Sequence, residues 1–385
     1  MAQLGRFNVG CTDVMVPELG EFSQFARQST TDDTGSLVGQ YDGSGLLLRL
    51  FYPSDAGTRP SPSTIPWFPQ TGEYLAGLAT FVKRSMTQMR VFGWLVGSAE
   101  VPVAWNGAVA KTGRWPMVVF SHGMGSARFM SSSICSSLAS SGHVVACLEH
   151  RDRSACWTFT IDKDGETTGI MFSGKVPSGQ TEFDVRHRQV LLRAKECAKT
   201  ALLMELIGAG QLKEEQLLLG DHSVLAQLED RLDLSRIYVA GHSFGAAAAL
   251  QASVDYSDRF RRAALLDCWM GPIHRDLTSA VTTNPVLFIN SDGSFQSEKS
   301  VARMEQVVGR GSAQSKLLVI RGSGHQSFTD LPLVVPHFFA WLNPSIGTID
   351  PQLSCRITHE LLVAFLDEGK LPCLLTAILR ILYMP

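Results

Sequence analysis

The sequence predicts an α/β fold in which helices cover both faces of a mostly parallel central β-sheet. Short apolar runs with the length of buried strands recur along the chain, and stretches with helical spacing lie between them, the longest over residues 187–210. Strands that are apolar on both faces and alternate with helices are typical of a parallel sheet between two helical layers. A composition of 45% apolar and 18% charged residues agrees with a compact globular protein.

The predicted elements follow one another without a linker that would divide the chain. A strand at 46–53 precedes a Pro-rich loop at 59–69. The run at 117–126 ends in glycines, and the run at 143–152 ends in charged residues. After the long helix come four more apolar runs, at 236–243, 262–269, 284–293 and 316–325.

Composition also argues against several classes of protein. The 385-residue chain has a net charge of −2 and no long basic run, so we expect no nucleic-acid partner. The first residues lack the apolar core of a signal peptide, and no apolar run reaches the roughly 20 residues of a membrane span. The eight cysteines lack metal-site spacing. We therefore expect reduced thiols in a cytoplasmic protein with no metal or cofactor, and a disulfide framework is the less favoured alternative.

The most informative motif is the Gly-x-Ser-x-Gly sequence at 241–245, which lies between an apolar run and an Ala-rich stretch. A strand before and a helix after are the context in which this motif forms a sharp turn that exposes the serine hydroxyl. The start of the helix supplies free N–H groups and a positive partial charge. We predict that Ser243 is a nucleophile, and a plain structural turn is the alternative.

A nucleophilic serine needs a histidine, which follows it along the chain in folds of this class. His325 is the best candidate because it comes after both an apolar run and a Gly-rich turn. The other histidines beyond Ser243 are His274, His337 and His359. His337 and His359 lie in amphipathic stretches, where a solvated or packed side chain is expected.

The acid that would orient this histidine has two candidates. Asp267 and Asp292 each end an apolar run, so position along the chain hardly separates them. Asp292 lies in a sequence that also favours a plain turn. The apolar surroundings of Asp267 better suit a carboxylate that holds an imidazole, and Asp292 stays open as the second candidate.

Acyl transfer also requires donors for the negative charge that develops on the carbonyl oxygen. The backbone N–H of Phe244, directly after the serine, is one expected donor. Met124 is the expected second donor, because it lies in a Gly-rich loop after the strand at 117–126. A plain turn is the alternative for this loop. The charged residues at 149–155 are interpreted as a structural ion-pair network at a sheet edge.

Segments 120–155, 241–270 and 322–330 together resemble the platelet-activating factor acetylhydrolase family, of the plasma and intracellular type II kinds. These enzymes are calcium-independent group VII phospholipases A2 with an α/β-hydrolase fold. The likeness extends from residue 10 to residue 345. We therefore expect a single catalytic domain over 1–345. Residues 346–385 are expected to form a helical extension that packs on the domain or mediates self-association, which would allow a homodimer.

The resemblance implies roles for individual residues. It selects Asp267 as the acid, in the segment Leu-Asp-Cys-Trp-Met at 266–270, and so implies a triad of Ser243, Asp267 and His325. Met124 stands where the family has leucine, an exchange that a backbone donor tolerates. Residues that flank these motifs are candidates for the substrate pocket: His122, His242, Trp269, Met270 and Gln326.

The reaction implied is hydrolysis of the sn-2 ester of phospholipids with short or oxidised acyl chains, through an acyl-serine intermediate and without a metal. Such an enzyme meets its phospholipid at a membrane or lipid-particle surface. The segment at 81–98 mixes basic and apolar residues, so it is either an interfacial helix or an ordinary core-facing helix. The apolar segment at 371–385 is expected to pack on the domain or self-associate. A broad short-chain carboxylesterase and an inactive lipid-surface binding protein are the alternative functions.

Overall fold

The computed structural model describes residues 4–28, 45–55, 64–69, 72–279, 284–293, 295–336, 343–368 and 379–383. The strands in chain order are β1 (Asn8–Val16), β2 (Leu46–Ser54), β3 (Ile65–Pro66), β4 (Glu100–Val101), β5 (Ala104–Trp105), β6 (Trp115–Ser121), β7 (Val144–Leu148), β8 (Trp157–Ile161), β9 (Thr167–Met171), β10 (Leu232–His242), β11 (Ala263–Leu266), β12 (Val286–Ser291), β13 (Lys316–Ile320) and β14 (Leu379–Tyr383). The helices are α1 (Gly72–Val82), α2 (Met86–Val96), α3 (Ser132–Ser140), α4 (Glu182–Gly208), α5 (His222–Ala226), α6 (Phe244–Asp255), α7 (Arg275–Ser279), α8 (Glu298–Arg310), α9 (Leu331–Val334) and α10 (Pro351–Val363).

Ten of these strands form one sheet in the order β14-β13-β12-β11-β10-β6-β7-β2-β1-β5. The six strands from β13 to β7 in this order are parallel to one another. Strands β14, β2 and β1 add antiparallel pairs on either side. The prediction of a mostly parallel sheet is confirmed. Because parallel strands end at the same edge, the loops after β6, β10, β11, β12 and β13 gather there.

The sheet separates two apolar cores because successive strand residues point to opposite faces. On β6, Val119 belongs to one core, and Val118 and Phe120 belong to the other. The first core is completed by residues of α4, α6 and α8, and the second by residues of α3 and α10. The predicted helices on both faces are therefore present.

The C-terminal segment contains both a helix and a strand. Helix α10 packs into the second core, and its His359 lies 3.1 Å from the Ser141 hydroxyl. Further along the chain, β14 pairs antiparallel with β13. Without β14, the backbone groups on this edge of β13 would have no strand partner. Of the segment 371–385, only the backbone of 379–383 lies within the described residues.

The charged segment at 149–155 does form ion pairs, but they lie in the interior rather than at a sheet edge. Glu149 contacts Arg128 at 2.7 Å, and Asp152 contacts Arg193 at 3.0 Å. All four side chains are buried. The cysteines within the described residues are free thiols. No helix in the described part of the chain is both long and apolar enough to cross a membrane.

Candidate active site

Ser243 occupies a sharp turn between β10 and α6. Its φ of 58° and ψ of −115° are strained values for a residue with a side chain. The glycines on either side are required by close approach: a Cβ at Gly241 would lie 2.4 Å from the Gly245 carbonyl oxygen. A Cβ at Gly245 would lie 2.0 Å from the carbonyl oxygen of Ser121 on β6. The motif therefore forms the strand–turn–helix geometry that its sequence predicts.

Backbone hydrogen bonds fasten this turn to the neighbouring strand. The Ser243 N–H donates to the Leu266 carbonyl at 2.9 Å, and the Trp269 N–H donates to the Ser243 carbonyl at 3.1 Å. Leu266 ends β11, and Asp267 follows it. The turn that carries the serine is thereby held beside the loop that carries the acid.

Asp267 and His325 form a directly bonded pair. His325 Nδ1 lies 2.7 Å from Asp267 Oδ2, and the carboxylate is completely buried. Burial acts to raise the pKa of Asp267, but hydrogen bonds from His325, Gln296 and Ser291 outweigh it and hold the pKa below its ordinary value. Because an ionised carboxylate only accepts hydrogen bonds, Nδ1 of His325 carries the proton. Nε2 is then available to accept a proton from a serine hydroxyl.

Asp292, the second candidate for the acid, has a different environment. Its side chain is exposed and accepts a hydrogen bond at 3.0 Å from the Gly322 N–H. This contact links the loop after β12 to the loop after β13. His325 is paired with Asp267 instead.

Two aromatic rings lie against His325. His242 Nε2 donates to the His325 carbonyl at 3.0 Å, and the two ring centroids are 4.7 Å apart. Burial, followed by the nearby His325, lowers the pKa of His242 to about 3, so this ring is neutral. Phe295 stacks on His325 with centroids 3.6 Å apart and an interplanar angle of 21°. The imidazole is therefore held by packing as well as by Asp267.

The loop after β6 contains Met124, the second predicted backbone donor. A Cβ at Gly123 would lie 3.4 Å from Ser243 Cβ, so this loop passes directly beside the nucleophile. His122 Nδ1 donates to the Gly123 carbonyl at 2.7 Å. Because the peptide bond is planar and trans, the N–H of Met124 points away from that bonded carbonyl. Gly125 has a φ of +69°, which turns the chain immediately afterwards.

Comparison with known proteins identifies the family. The family model for platelet-activating factor acetylhydrolase, isoform II, matches residues 1–372. The chain belongs to the platelet-activating factor acetylhydrolase family. A platelet-activating factor acetylhydrolase of Gallus gallus is 33% identical over 377 residues, which cover 94% of this chain and 82% of that protein. One of Bos taurus is 31% identical over 369 residues, with coverages of 94% and 76%.

A solved structure agrees with the fold that this family implies. A ferulic acid esterase from Streptomyces cinnamoneus superimposes with a TM-score of 0.65 over 99% of this chain and 98% of that chain. At 19% identity, this likeness concerns the fold alone. The chain therefore has the α/β-hydrolase fold that its motifs predicted.

The five predicted pocket residues differ in exposure. Trp269 and Gln326 are partly exposed. His122 and Met270 are completely buried, and His242 is 3% exposed. All five stay predictions for the substrate pocket.

Four residues that shape the site have little or no signal in the sequence. Ser291 and Gln296 donate to the Asp267 carboxylate, and Phe295 stacks on His325. Arg193 donates to the His122 carbonyl at 2.6 Å from helix α4. Arg193 had one signal in the sequence, because it is a charged residue between Val190 and Ala194, which face the core.

Proposed function

We propose that this chain is a serine-dependent phospholipase A2 of the acetylhydrolase type. Its substrates would be phospholipids with a short or oxidised acyl group at sn-2, with platelet-activating factor converted to lyso-PAF and acetate. The observation that carries the proposal is the Asp267–His325 pair in a member of this family, with Asp267 on the loop that is hydrogen-bonded to the Ser243 turn. The geometry supports the catalytic roles of these three residues.

In the acylation step, the Ser243 oxygen attacks the sn-2 carbonyl carbon while His325 Nε2 takes the hydroxyl proton. The carbonyl oxygen becomes an oxyanion that accepts hydrogen bonds from the N–H groups of Phe244 and Met124. When the intermediate collapses, the bond between the acyl carbon and the sn-2 oxygen breaks. His325 returns the proton to that oxygen, and the lysophospholipid leaves.

In the deacylation step, water attacks the acyl-serine while His325 again accepts a proton. The second oxyanion uses the same two donors, and its collapse returns the proton to Ser243 and releases the short acid. Calcium independence is part of this proposal. His325 supplies the base and two backbone N–H groups supply the electrostatic stabilisation, so each step balances without a metal.

Helix α2 is the proposed contact with the lipid surface. Trp94 is 80% exposed and Val91, three residues earlier on the same face, is 54% exposed. A capping box between Ser85 and Gln88 holds the start of this helix. Its neighbour α1 reaches the active site, because a Cβ at Gly125 would lie 2.3 Å from the Phe81 ring. Cytoplasmic location and a homodimer remain predictions.

The proposal is tested by hydrolysis of an sn-2 acetyl phospholipid and its long-chain analogue, with EDTA present. We expect acetyl-selective hydrolysis that Ser243→Ala lowers by about 10⁴-fold or more. Ser253→Ala is the matched control, since its buried hydroxyl donates to the Leu250 carbonyl of the same helix at 2.8 Å. Trp94→Ser is expected to weaken hydrolysis of vesicle-bound lipid and to spare monomeric ester.

Three other outcomes would contradict parts of this proposal. Activity that survives in Ser243→Ala would overturn the assignment of the nucleophile. Cleavage of simple soluble esters alone would favour the broad carboxylesterase on the same fold. A wild-type protein that binds vesicles but hydrolyses neither class of ester would favour the inactive lipid-binding protein.

A further inference from the structure

Arg193 is a completely buried cation on α4, directly beneath the candidate oxyanion hole. Its Nε contacts Asp152 Oδ2 at 3.0 Å, and one terminal nitrogen donates to the Ser154 hydroxyl at 2.5 Å. The Gly125 N–H in turn donates to the Ser154 carbonyl at 2.7 Å. Asp152 and Ser154 therefore hold the Arg193 guanidinium in a fixed orientation next to the loop after β6.

The other terminal nitrogen of Arg193 controls the backbone that leads to Met124. It donates to the His122 carbonyl at 2.6 Å, while the His122 ring donates from Nδ1 to the next carbonyl, that of Gly123. His122 Nε2 accepts the His150 N–H at 3.2 Å, which fixes the tautomer. Burial, followed by the charge of Arg193, holds the pKa of His122 well below its ordinary value, so the ring stays neutral. Two consecutive carbonyls are thus turned away from the site, and the Met124 N–H is left facing the other way.

Arg193 also contacts Phe244, whose N–H is the other proposed donor. Its guanidinium carbon lies 4.6 Å from the centroid of the Phe244 ring, which Trp269 contacts at 5.6 Å. Phe244 is completely buried and begins α6 directly after the serine. The cation therefore packs against the side chain of the residue whose N–H is the other proposed donor.

We propose that Arg193 is a positioning residue that sets the spacing between the two oxyanion donors, Met124 and Phe244. This inference rests on the proposed function, because it assumes that both N–H groups receive the oxyanion. Arg193 itself touches no reacting atom. A single rigid cation holds the loop of one donor and the side chain of the other, so the distance between them is fixed before substrate arrives.

The test compares Arg193→Met and Arg193→Lys with Lys199→Met. Lys199 is a matched control because it is a buried cation on the same helix, contacts Glu18 at 2.6 Å and lies 5.3 Å from the Phe22 ring. For each variant, kcat/KM is measured on a soluble acetyl ester and on the corresponding thionoester, together with the thermal midpoint. Inhibition by a trifluoromethyl ketone, which forms an oxyanion on the serine, is the third readout.

We expect Arg193→Met to lower kcat/KM on the oxygen ester by about 10- to 100-fold. The thionoester should lose less, because sulfur is a poorer acceptor and gains less from well-placed donors. The ketone should bind more weakly in the same proportion as the oxygen ester is hydrolysed more slowly. Arg193→Lys should fall between wild type and Arg193→Met, since an ammonium group lacks the planar fork.

A purely structural role for Arg193 predicts a different pattern. If Arg193→Met and Arg193→Lys lower the thermal midpoint as Lys199→Met does and leave the ratio of ester to thionoester rates unchanged, the inference is wrong. Arg193→Lys keeps a cation opposite Asp152, so it carries the test if Arg193→Met does not fold. Ser243→Ala keeps the two failures apart, because activity that survives it contradicts the proposed function itself.

Discussion

The two halves of the site are held by different parts of the fold. The acid–histidine half consists of Asp267, His325, Phe295 and Gln296, on loops after β11, β12 and β13, with Ser291 at the end of β12. It reaches the surface, where Phe295 is 41% exposed. Its imidazole lies within a few ångströms of solvent-facing side chains.

The proposed oxyanion half is the loop at 122–125 with His150, Asp152 and Arg193, and it is held from inside the protein. These three supporting side chains are at most 1% exposed. His150 Nδ1 lies 2.5 Å from Glu196 Oε2, and His150 Nε2 lies 2.7 Å from the hydroxyl of Ser121, the last residue of β6. This difference in burial between the two halves follows from the chemistry that each half would perform. A base must move protons to and from substrate, whereas oxyanion donors act best when they need no rearrangement.

The largest effect in this comparison is expected from Asp267→Asn in the acid–histidine half. Asparagine tolerates the left-handed backbone of this position, where φ is 44°, so the turn should persist. Its amide can donate to Nδ1 and so favour the wrong tautomer of His325. We expect kcat on an acetyl ester to fall by about 10³- to 10⁴-fold, with the fold checked by circular dichroism.

Asp292→Asn is the matched control, because it changes the other acid that ends an apolar strand and leaves the Asp267–His325 contact intact. Its kcat should stay close to that of wild type. A large loss in Asp292→Asn together with an active Asp267→Asn would reverse the assignment of the acid.

The halves also differ in how much the sequence could predict. Ser243 and its glycines follow from local steric limits, so the motif alone indicates the turn. The choice between Asp267 and Asp292 required family resemblance, because each ends an apolar strand. Gln296 reaches Asp267 across 29 positions of sequence, and no local pattern encodes such a contact.

Helix α4 shows why the oxyanion half was harder to predict. On this helix Leu191 is 41% exposed, whereas Arg193 and Lys199 are buried. Long charged side chains are buried only where partners from other elements meet them. Those partners, Asp152 and Glu18, lie far away in sequence.

A smaller effect is expected on the pH dependence of stability, in which the interior histidines take part. Burial, followed by the nearby His143, lowers the pKa of His359 from 6.5 to about 4. The unfolded state therefore binds the proton more tightly. The stability that His359 contributes is complete above pH 6.5 and is lost as the pH falls from 6.5 to about 4.

Replacing this ring should flatten that dependence. We expect His359→Gln to reduce the change in unfolding free energy by about 1.4 kcal/mol per pH unit across this window. Urea titrations of both proteins at several pH values between 7 and 4 measure it. Equal slopes of unfolding free energy against pH would show that His359 is protonated as readily in the folded as in the unfolded protein. Since His359 packs against α3 and Ser141, away from the serine, kcat at neutral pH should not change.

The smallest effect is expected from Phe295→Ala, at the exposed rim of the acid–histidine half. Removing the ring stacked on His325 should lower kcat/KM by about 2- to 10-fold, the range that an aromatic contact contributes. The thermal midpoint should hardly change, because the side chain is largely on the surface. Arg193→Met, which acts from the interior, should cause the larger loss of kcat/KM. If Phe295→Ala causes the larger loss instead, the exposed loop governs the precision of the site and the buried network beneath the oxyanion hole serves stability alone.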